Sequence, residues 1–160
     1  MNRTERMYED ACAIYAEHGV DVEEAVRRMN ACVIGIHAWQ GDDVTGFENT
    51  GHALTGGCQV TGNYPGRART AEELRQDLDE AFTMIPGPFK VVLQGHEVDC
   101  VTPGCDRDSF TVENFSGWRD WAVERKIGLD IAPAFYSHPK LDMGLSLSHP
   151  DPEIRAFWIR

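Results

Sequence analysis

Long apolar runs are absent from the sequence. No stretch approaches the roughly 20 consecutive apolar residues that a membrane-spanning helix needs. The charged residues 1–6 are not followed by the apolar core of a signal peptide. We therefore expect a soluble protein of the cytoplasm, and 160 residues are enough for one domain with a sizeable core.

Positive charge is also scarce. The chain has 15 Lys and Arg against 26 Asp and Glu, which gives a net charge of −11. A protein that binds nucleic acid needs a clustered positive surface to neutralise phosphates, and the basic groups here are few and short. An acidic surface of this kind is typical of a soluble enzyme, so we expect a small-molecule partner, with no nucleic acid and no membrane.

Paired cysteines are missing as well. The five cysteines are odd in number and irregularly spaced, at positions 12, 32, 58, 100 and 105, which favours free thiols in a reducing compartment. Cys100 and Cys105, with His96 nearby, raise the alternative of a structural zinc site. Their C-x4-C spacing lacks the second pair of ligands that such a site requires, so zinc is the weaker interpretation.

What the chain does contain is an alternation of helical and strand patterns. Helical periodicity of apolar residues predicts helices over 4–18, 21–29, 70–85, 111–126 and from 152 to the last residue. Compact apolar runs predict strands over 31–39, 90–95 and 127–132, the first suited to burial on both faces. Thr70 with Glu73 forms a capping box, and Asp151 before Pro152 is a helix start.

This order favours a parallel sheet flanked by helices, either open or closed as a barrel. A complete eight-stranded barrel needs about 250 residues, and three strands cannot close one. The last helix has no stop signal before the sequence ends. It carries the large rings of Phe157 and Trp158, and we expect the rest of the chain to offer these rings hardly any partner surface. The pattern indicates a part of a longer protein.

Ligands of parallel α/β sheets bind at the carboxyl ends of the strands, where this sequence places polar residues. After the first strand, His37 and Trp39 precede Gln40, Asp42 and Asp43, and an aromatic ring beside polar groups suits a sugar. The structural alternative is a core Trp and a satisfied His. The glycine-rich stretch 40–67 that follows is long enough to be a functional loop, although it has no phosphate-loop motif.

After the second strand, Gln94, His96, Glu97 and Asp99 could hold a cation or transfer protons, or they form an ordinary solvated loop. Residues 94 and 96 lie two apart, so an extended strand would place both side chains on one face. The third strand is followed by three further candidates, Tyr136, Ser137 and His138. His138 and His149 each precede a proline, which suits the anchoring of a loop more than metal binding.

Several of these segments together resemble L-rhamnose isomerases. Residues 37–48, HAWQGDDVTGFE, look like the first-strand segment of that family, and residues 55–66, TGGCQVTGNYPG, follow in register. Further matches occur in the same order at ELRQDL (73–78), IPGP (85–88), FYSHP (135–139), LSH (147–149) and IRAFWI (154–159). The resemblance therefore runs along nearly the whole chain.

The resemblance implies an α/β fold that is the N-terminal part of a (β/α)8 TIM-type barrel. Residues 1–30 would form two preceding helices and residues 31–160 the first three strand–helix units. It also implies a cytoplasmic homotetramer that interconverts L-rhamnose and L-rhamnulose with two divalent cations, typically including Mn²⁺. The family's metal ligands lie on later strands, so the resemblance assigns no metal ligand to this chain.

The resemblance places Trp39 in the sugar pocket, with His37 and Phe47 as further substrate-binding candidates. Two positions depart from the family pattern, since Gln94 stands where a His thought to assist ring opening is usual, and Ala132 replaces a usual Asn. We hypothesise that His96 takes over from the missing His, so His96 and Gln94 are the catalytic candidates. The substrate could then be another aldose or deoxy-sugar, and a non-catalytic sugar-binding protein is a further alternative. We expect the 160 residues alone to be inactive and poorly folded.

Overall fold

The computed structural model describes residues 1–38, 41–42, 44–48, 67–99, 104–136 and 138–160. Its helices are α1 (Arg3–Glu17), α2 (Val22–Asn30), α3 (Ala71–Phe82), α4 (Ser116–Arg125) and α5 (Pro152–Ile159). Its strands are β1 (Ile34–His37), β2 (Phe89–Gln94) and β3 (Gly128–Ala132). The predicted helices and strands are confirmed in type and order. The helix predicted from residue 111 begins as a 3₁₀ turn, Val112–Phe115, before α4.

The three strands form a parallel sheet in the order β1-β2-β3. In register across the sheet, Ile36 pairs with Val91 and Val91 pairs with Leu129. The connection from β1 to β2 includes α3 and that from β2 to β3 includes α4, as parallel neighbours require. The prediction of a parallel α/β arrangement is confirmed, and the described residues form a three-stranded sheet.

The core lies between one face of the sheet and helices α3 and α4. Val91 and Leu93 of β2 are fully buried there against Leu74 of α3 and Trp118 of α4. Trp121 meets Trp118 edge to face with ring centroids 5.6 Å apart, an arrangement that aromatic quadrupoles favour. Alternation along β2 therefore directs Gln94 to the opposite face of the sheet.

The prediction that the first strand is buried on both faces is wrong. Ile34, on the helix-facing side of β1, is 42% exposed, and His37, on the other side, is also exposed. The physical reason is position, because β1 pairs with β2 alone among the described strands and so has an edge. Ile131 on β3, the opposite edge strand, is exposed for the same reason.

Helices α1 and α2 pack against each other and contain no buried residue. Asn2 and Glu5 form a capping box at the start of α1, and Asp21 caps α2 through the backbone N–H of Glu24. Most of their large apolar side chains stay exposed, including Met7 and Ile14. No helix within the described ranges is long and apolar enough to span a membrane.

The expectation that the rings of the last helix lack a partner surface is wrong. Phe157 is 4% exposed and Trp158 is 9% exposed. The ring of His138 stacks on Phe157 with centroids 5.0 Å apart, and Phe135 meets Trp158 edge to face. Phe135 and His138, in the connection after β3, therefore cover the rings of α5, which a helix-by-helix inspection of apolar faces cannot anticipate.

Candidate functional site

The polar residues predicted at the strand ends gather at the carboxyl edge of the sheet. Gln94 ends β2 and pairs in register with Ala132, the last residue of β3. His37 ends β1 and pairs with Val92, so it shares the face that carries Gln94. The two departures from the family pattern, at 94 and 132, are therefore direct neighbours on one face.

Asp42 organises the loop that leaves β1. Its fully buried carboxylate accepts hydrogen bonds from the backbone N–H of Val44 (2.9 Å) and of Gly46 (2.6 Å), while the Thr45 hydroxyl donates to the Asp42 carbonyl (2.7 Å). Val44 and Gly46 both adopt positive φ, 61° and 67°. A short acceptor side chain bonded to amides two and four residues on holds this tight loop.

The loop presses directly on His96. A Cβ added to Gly46 would lie 2.0 Å from Cδ2 of the His96 ring, so only glycine permits this approach. The N–H of Phe47 donates to the His96 carbonyl at 2.9 Å, which fixes the same contact from the backbone. The sequence segment that carries the family resemblance therefore builds one wall around His96.

His96 is 0% exposed, and its two ring nitrogens have no hydrogen-bond partner among the described residues. Its Nε2 lies 3.8 Å from an Asp42 carboxylate oxygen, beyond hydrogen-bonding distance. Burial, with a contribution from the charge of Arg107, lowers the pKa of His96 from 6.5 to about 3. The imidazole is therefore neutral at physiological pH.

His96 does not lie in β2, which ends at Gln94. The chain turns there, and the N–H of Glu97 donates to the Gln94 carbonyl at 2.9 Å. The inference that an extended strand places 94 and 96 on one face is therefore wrong. Their side chains are nevertheless connected through Tyr136, because the His96 ring meets Tyr136 edge to face at 5.1 Å.

Glu97 is a second enclosed titratable group in this turn. One carboxylate oxygen accepts from the Gln94 backbone N–H (2.8 Å), and the other has no hydrogen-bond partner within the described part of the chain. Burial, followed by the charge of Asp42, raises the pKa of Glu97 to about 8, while the Gln94 N–H opposes this. The indole N–H of Trp118 donates to the Glu97 carbonyl at 2.7 Å and attaches the turn to the core.

The carboxamide of Gln94 is held by Tyr136. The Tyr136 hydroxyl donates to Oε1 of Gln94 at 3.0 Å, and Gln94 remains 8% exposed. Nε2 donates to no described residue, so the N–H₂ end keeps its hydrogen-bonding capacity. The amide is thus fixed at its acceptor end.

A buried ion pair holds the loops around this site together. The Arg107 guanidinium binds both carboxylate oxygens of Glu48 and donates to the carbonyls of Ala134 and, at 2.8 Å, Tyr136. It also lies over the Trp158 ring at 5.8 Å from the centroid. Sequence reasoning missed Arg107, because nothing in its local pattern distinguishes it from a solvated arginine.

His138 anchors its loop, as its position before a proline predicts. Its Nδ1 accepts from the Lys140 backbone N–H (3.1 Å), and its Nε2 pairs with a carboxylate oxygen of Asp106 (2.8 Å). Lys140 Nζ binds the other oxygen of Asp106 at 3.1 Å. His149 acts in the same way, because its Nδ1 accepts from the Asp151 N–H at 3.0 Å. Both prolines thus follow loop-anchoring histidines.

The predicted site residues fall into three groups. His37 and Gln94 share the open face of the sheet, whereas Phe47 packs against the hydrophobic core beside its contact with His96. Trp39 lies outside the described residues, together with Gln40, Asp43, Cys100 and Ser137. No group of three or more His, Cys, Asp or Glu side chains within the described ranges could hold a metal ion.

Fold and site together define an α/β protein with polar groups gathered at the carboxyl edge of a parallel sheet. The family model of L-rhamnose isomerase (RhaA) matches residues 2–160, so the chain belongs to the L-rhamnose isomerase family. The L-rhamnose isomerase of Enterobacter sp. strain 638 is 50% identical over 155 residues, and those of Shigella boydii serotype 4 and Klebsiella pneumoniae are 48% identical. Each match covers 97% of this chain and 37% of the relative. The resemblance read from the motifs is therefore confirmed.

Proposed function

We propose that the chain forms part of an aldose–ketose isomerase that interconverts L-rhamnose and L-rhamnulose. The observation that carries this proposal is the 48–50% identity to L-rhamnose isomerases over 155 residues. The placement of Gln94 and His37 at the carboxyl edge of a parallel sheet supports it, since ligands of such sheets bind at that edge. The chain spans 37% of the length of these relatives.

The architecture we propose for the whole protein is a (β/α)8 barrel. Residues 1–30 supply two preceding helices, and residues 31–160 supply three strand–helix units. The exposed edges at β1 and β3 support this proposal, because further strands on each side would pair them and barrel closure removes edges altogether. Family resemblance adds a homotetramer in the cytoplasm to the proposal.

Divalent cations, typically including Mn²⁺, supply the polarisation of sugar oxygens in this type of isomerisation. The described side chains do not fit such a site, because they contain no candidate cluster of three ligands. We place the ligands in the additional length that the relatives have, and derive no step of the reaction through a metal held by these residues.

The sugar would lie on the face of the sheet that carries Gln94 and His37, with Trp39 as an aromatic platform beside it. Phe47 supports the Asp42 loop from the core in this proposal. A catalytic role for His96 stays a prediction. Its ring is enclosed, so contact with a sugar would require Tyr136 or residues 44–46 to move.

A second candidate function is the same isomerisation on another aldose or deoxy-sugar. One observation favours it, namely that Gln94 and Ala132, which both depart from the family pattern, are paired neighbours at the strand ends. Two adjacent changes on one face alter the hydrogen bonds offered to a sugar in one place.

The test is a chimera in which this chain replaces the corresponding segment of the Enterobacter relative. We expect the purified, Mn²⁺-loaded chimera to convert L-rhamnose to L-rhamnulose, while the 160-residue chain alone does not. A panel of aldoses assayed in parallel separates the two candidate substrates. The relative without the segment serves as the negative control.

A folded, metal-loaded chimera that leaves L-rhamnose unchanged would contradict the main proposal, and turnover of a different aldose would establish the second. The non-catalytic alternative is tested on the 160-residue chain with chelator present. Sugar binding by that chain, together with an inactive chimera, would favour it.

A further inference from the structure

We propose that Tyr136 fixes the carboxamide of Gln94 so that its Nε2 end serves as a hydrogen-bond donor to a sugar oxygen on the open face of the sheet. In this arrangement Gln94 binds substrate and Tyr136 is a positioning residue. The inference rests on the proposed sugar site. It goes further because it gives Gln94, at the end of β2, a role in binding the sugar without proton transfer.

The orientation of the amide follows from its acceptor end. A glutamine carboxamide has an acceptor oxygen at one end and two N–H donors at the other. The Tyr136 hydroxyl donates to Oε1 at 3.0 Å, and this contact directs the N–H₂ end of the amide away from the phenol. The donor end therefore points away from Tyr136 and has no partner among the described residues.

Tyr136 is itself held at its backbone and its ring. Its carbonyl accepts from Arg107, which is bound to the Glu48 carboxylate. Its ring meets that of His96 edge to face, and Gly46 also lies directly against the His96 ring. Tyr136 is thus contacted at its carbonyl, its ring and its hydroxyl, and the hydroxyl contact extends this support to Gln94.

Gln94 lies beside the end of β3. Its register partner is the partly buried Ala132, whose methyl group offers no hydrogen-bonding atom. Gln94 also shares its face with the exposed His37. A sugar oxygen, whether of a hydroxyl or a carbonyl group, is the acceptor that two N–H donors recognise.

An amide does not titrate near neutral pH, so Gln94 can hold a sugar oxygen but cannot exchange a proton with it. This separates it from the histidine that the family pattern favours at this position, whose imidazole titrates near pH 6.5. The Gln94 contact itself therefore adds no titration to sugar binding.

The first experiment observes the Gln94 side-chain amide by ¹H–¹⁵N NMR in the perdeuterated, metal-free chimera, where the remaining segments can pair the strand edges that the 160-residue chain exposes. The signal is assigned by its loss in Gln94→Glu. Without sugar, Tyr136→Phe is expected to move this signal and to speed rotation about the amide. Tyr8→Phe is the matched control, since it removes a hydroxyl that bonds Glu23 at 2.7 Å between α1 and α2. An unmoved Gln94 signal in Tyr136→Phe would overturn the positioning role.

The second arm titrates L-rhamnose, D-xylose and D-glucose into the same metal-free chimera. We expect the Gln94 amide to shift with one of these sugars. Gln94→Glu keeps the acceptor for Tyr136 but replaces the donors, so it should abolish the response, and Tyr136→Phe should weaken binding about tenfold. Backbone signals near His37 and Gly95 that respond while the Gln94 amide does not would overturn the inference and leave the proposed function standing.

The kinetic constants of the chimera distinguish a positioning role of Tyr136 from a purely structural one. Tyr136→Phe should raise KM and leave kcat nearly unchanged, and Gln94→His should introduce a titration near pH 6.5 into kcat/KM. A Gln94 response to D-xylose or D-glucose, with a chimera inactive on L-rhamnose, would overturn the proposed substrate and support the donor role. Equal KM values in the parent and Tyr136→Phe would overturn the positioning role.

Discussion

At the scale of single residues, His96 and Glu97 are neighbours whose pKa values burial moves in opposite directions. The imidazole is neutral in the folded protein because its charged form is desolvated, and the carboxyl keeps its proton for the same reason. Both groups therefore make the free energy of unfolding depend on pH, with opposite signs.

Glu97 has a pKa of 4.5 in the unfolded chain and about 8 in the folded protein. The folded state thus binds more protons between these values, and stability falls as pH rises from 4.5 to 8. We expect Glu97→Gln to match the parent at pH 4.5 and to exceed it above pH 8 by on the order of a few kcal/mol. Urea unfolding across this range measures the difference, with the exposed Glu9→Gln as a control that should stay flat.

His96 produces the opposite slope. Its pKa is 6.5 in the unfolded chain and about 3 in the folded protein, so the unfolded state binds more protons between these values and stability falls as pH drops from 6.5 to 3. We expect His96→Leu to lose less stability than the parent over that interval, as read from thermal unfolding at pH 6.5 and pH 4. Identical acid sensitivity of the two proteins would contradict the buried neutral imidazole.

At the scale of elements, sequence patterns predicted well wherever a local signal specifies a local structure. Thr70 caps α3 by accepting from the Glu73 N–H at 3.2 Å, as the capping box predicts. The reciprocal half of the box is replaced, because the Glu73 carboxylate binds the backbone and guanidinium of Arg69 instead. The helix start was predictable, and the competition for Glu73 was not.

Loss of the α3 cap gives a prediction at this scale. Thr70→Ala should lower the free energy of unfolding by about 1 kcal/mol, because the Glu73 N–H loses its acceptor. Thr70→Ser retains the hydroxyl and should cost less than half as much. The two variants are compared by urea denaturation, and equal losses would show that the threonine methyl group, not the cap, is responsible.

At the scale of the whole molecule, Arg107 links segments that are far apart in the sequence. Its guanidinium connects Glu48 after β1, the carbonyls of Ala134 and Tyr136 after β3, and the Trp158 ring on α5. The rings of α5 are covered because these segments converge. The sequence analysis wrongly left Phe157 and Trp158 without partners, and it missed Arg107. Both errors arise because the contacts join segments that are distant in the sequence.

Removing one partner of the Arg107–Glu48 pair should lower the free energy of unfolding far more than replacing both partners by apolar residues. Arg107→Met leaves the buried Glu48 carboxylate unpaired and is expected to destabilise the fold by about 3–5 kcal/mol. The double variant Arg107→Met, Glu48→Met should recover part of this loss, since no isolated charge remains. Thermal unfolding of the two single variants and the double variant forms the cycle, and strictly additive losses would argue against direct coupling.

That the chain alone folds poorly stays a prediction, now supported by one observation fewer. The covering of Phe157 and Trp158 removes one reason for it, while the exposed edges of β1 and β3 remain. Concentration-dependent self-association in light scattering is the expected result. A monomer with a cooperative urea transition would contradict it.

The sequence by itself determined the order of helices and strands, the parallel sheet, the helix caps and the family, because periodicity, capping residues and motifs in register are local properties of the chain. It also located the strand ends where Gln94 and His37 lie. The tertiary structure alone decided that the strand stops before His96, that Tyr136 binds Gln94, and that Arg107 closes the site. Those contacts join residues 27 to 59 positions apart in the chain, and their energies depend on burial, which no local pattern records.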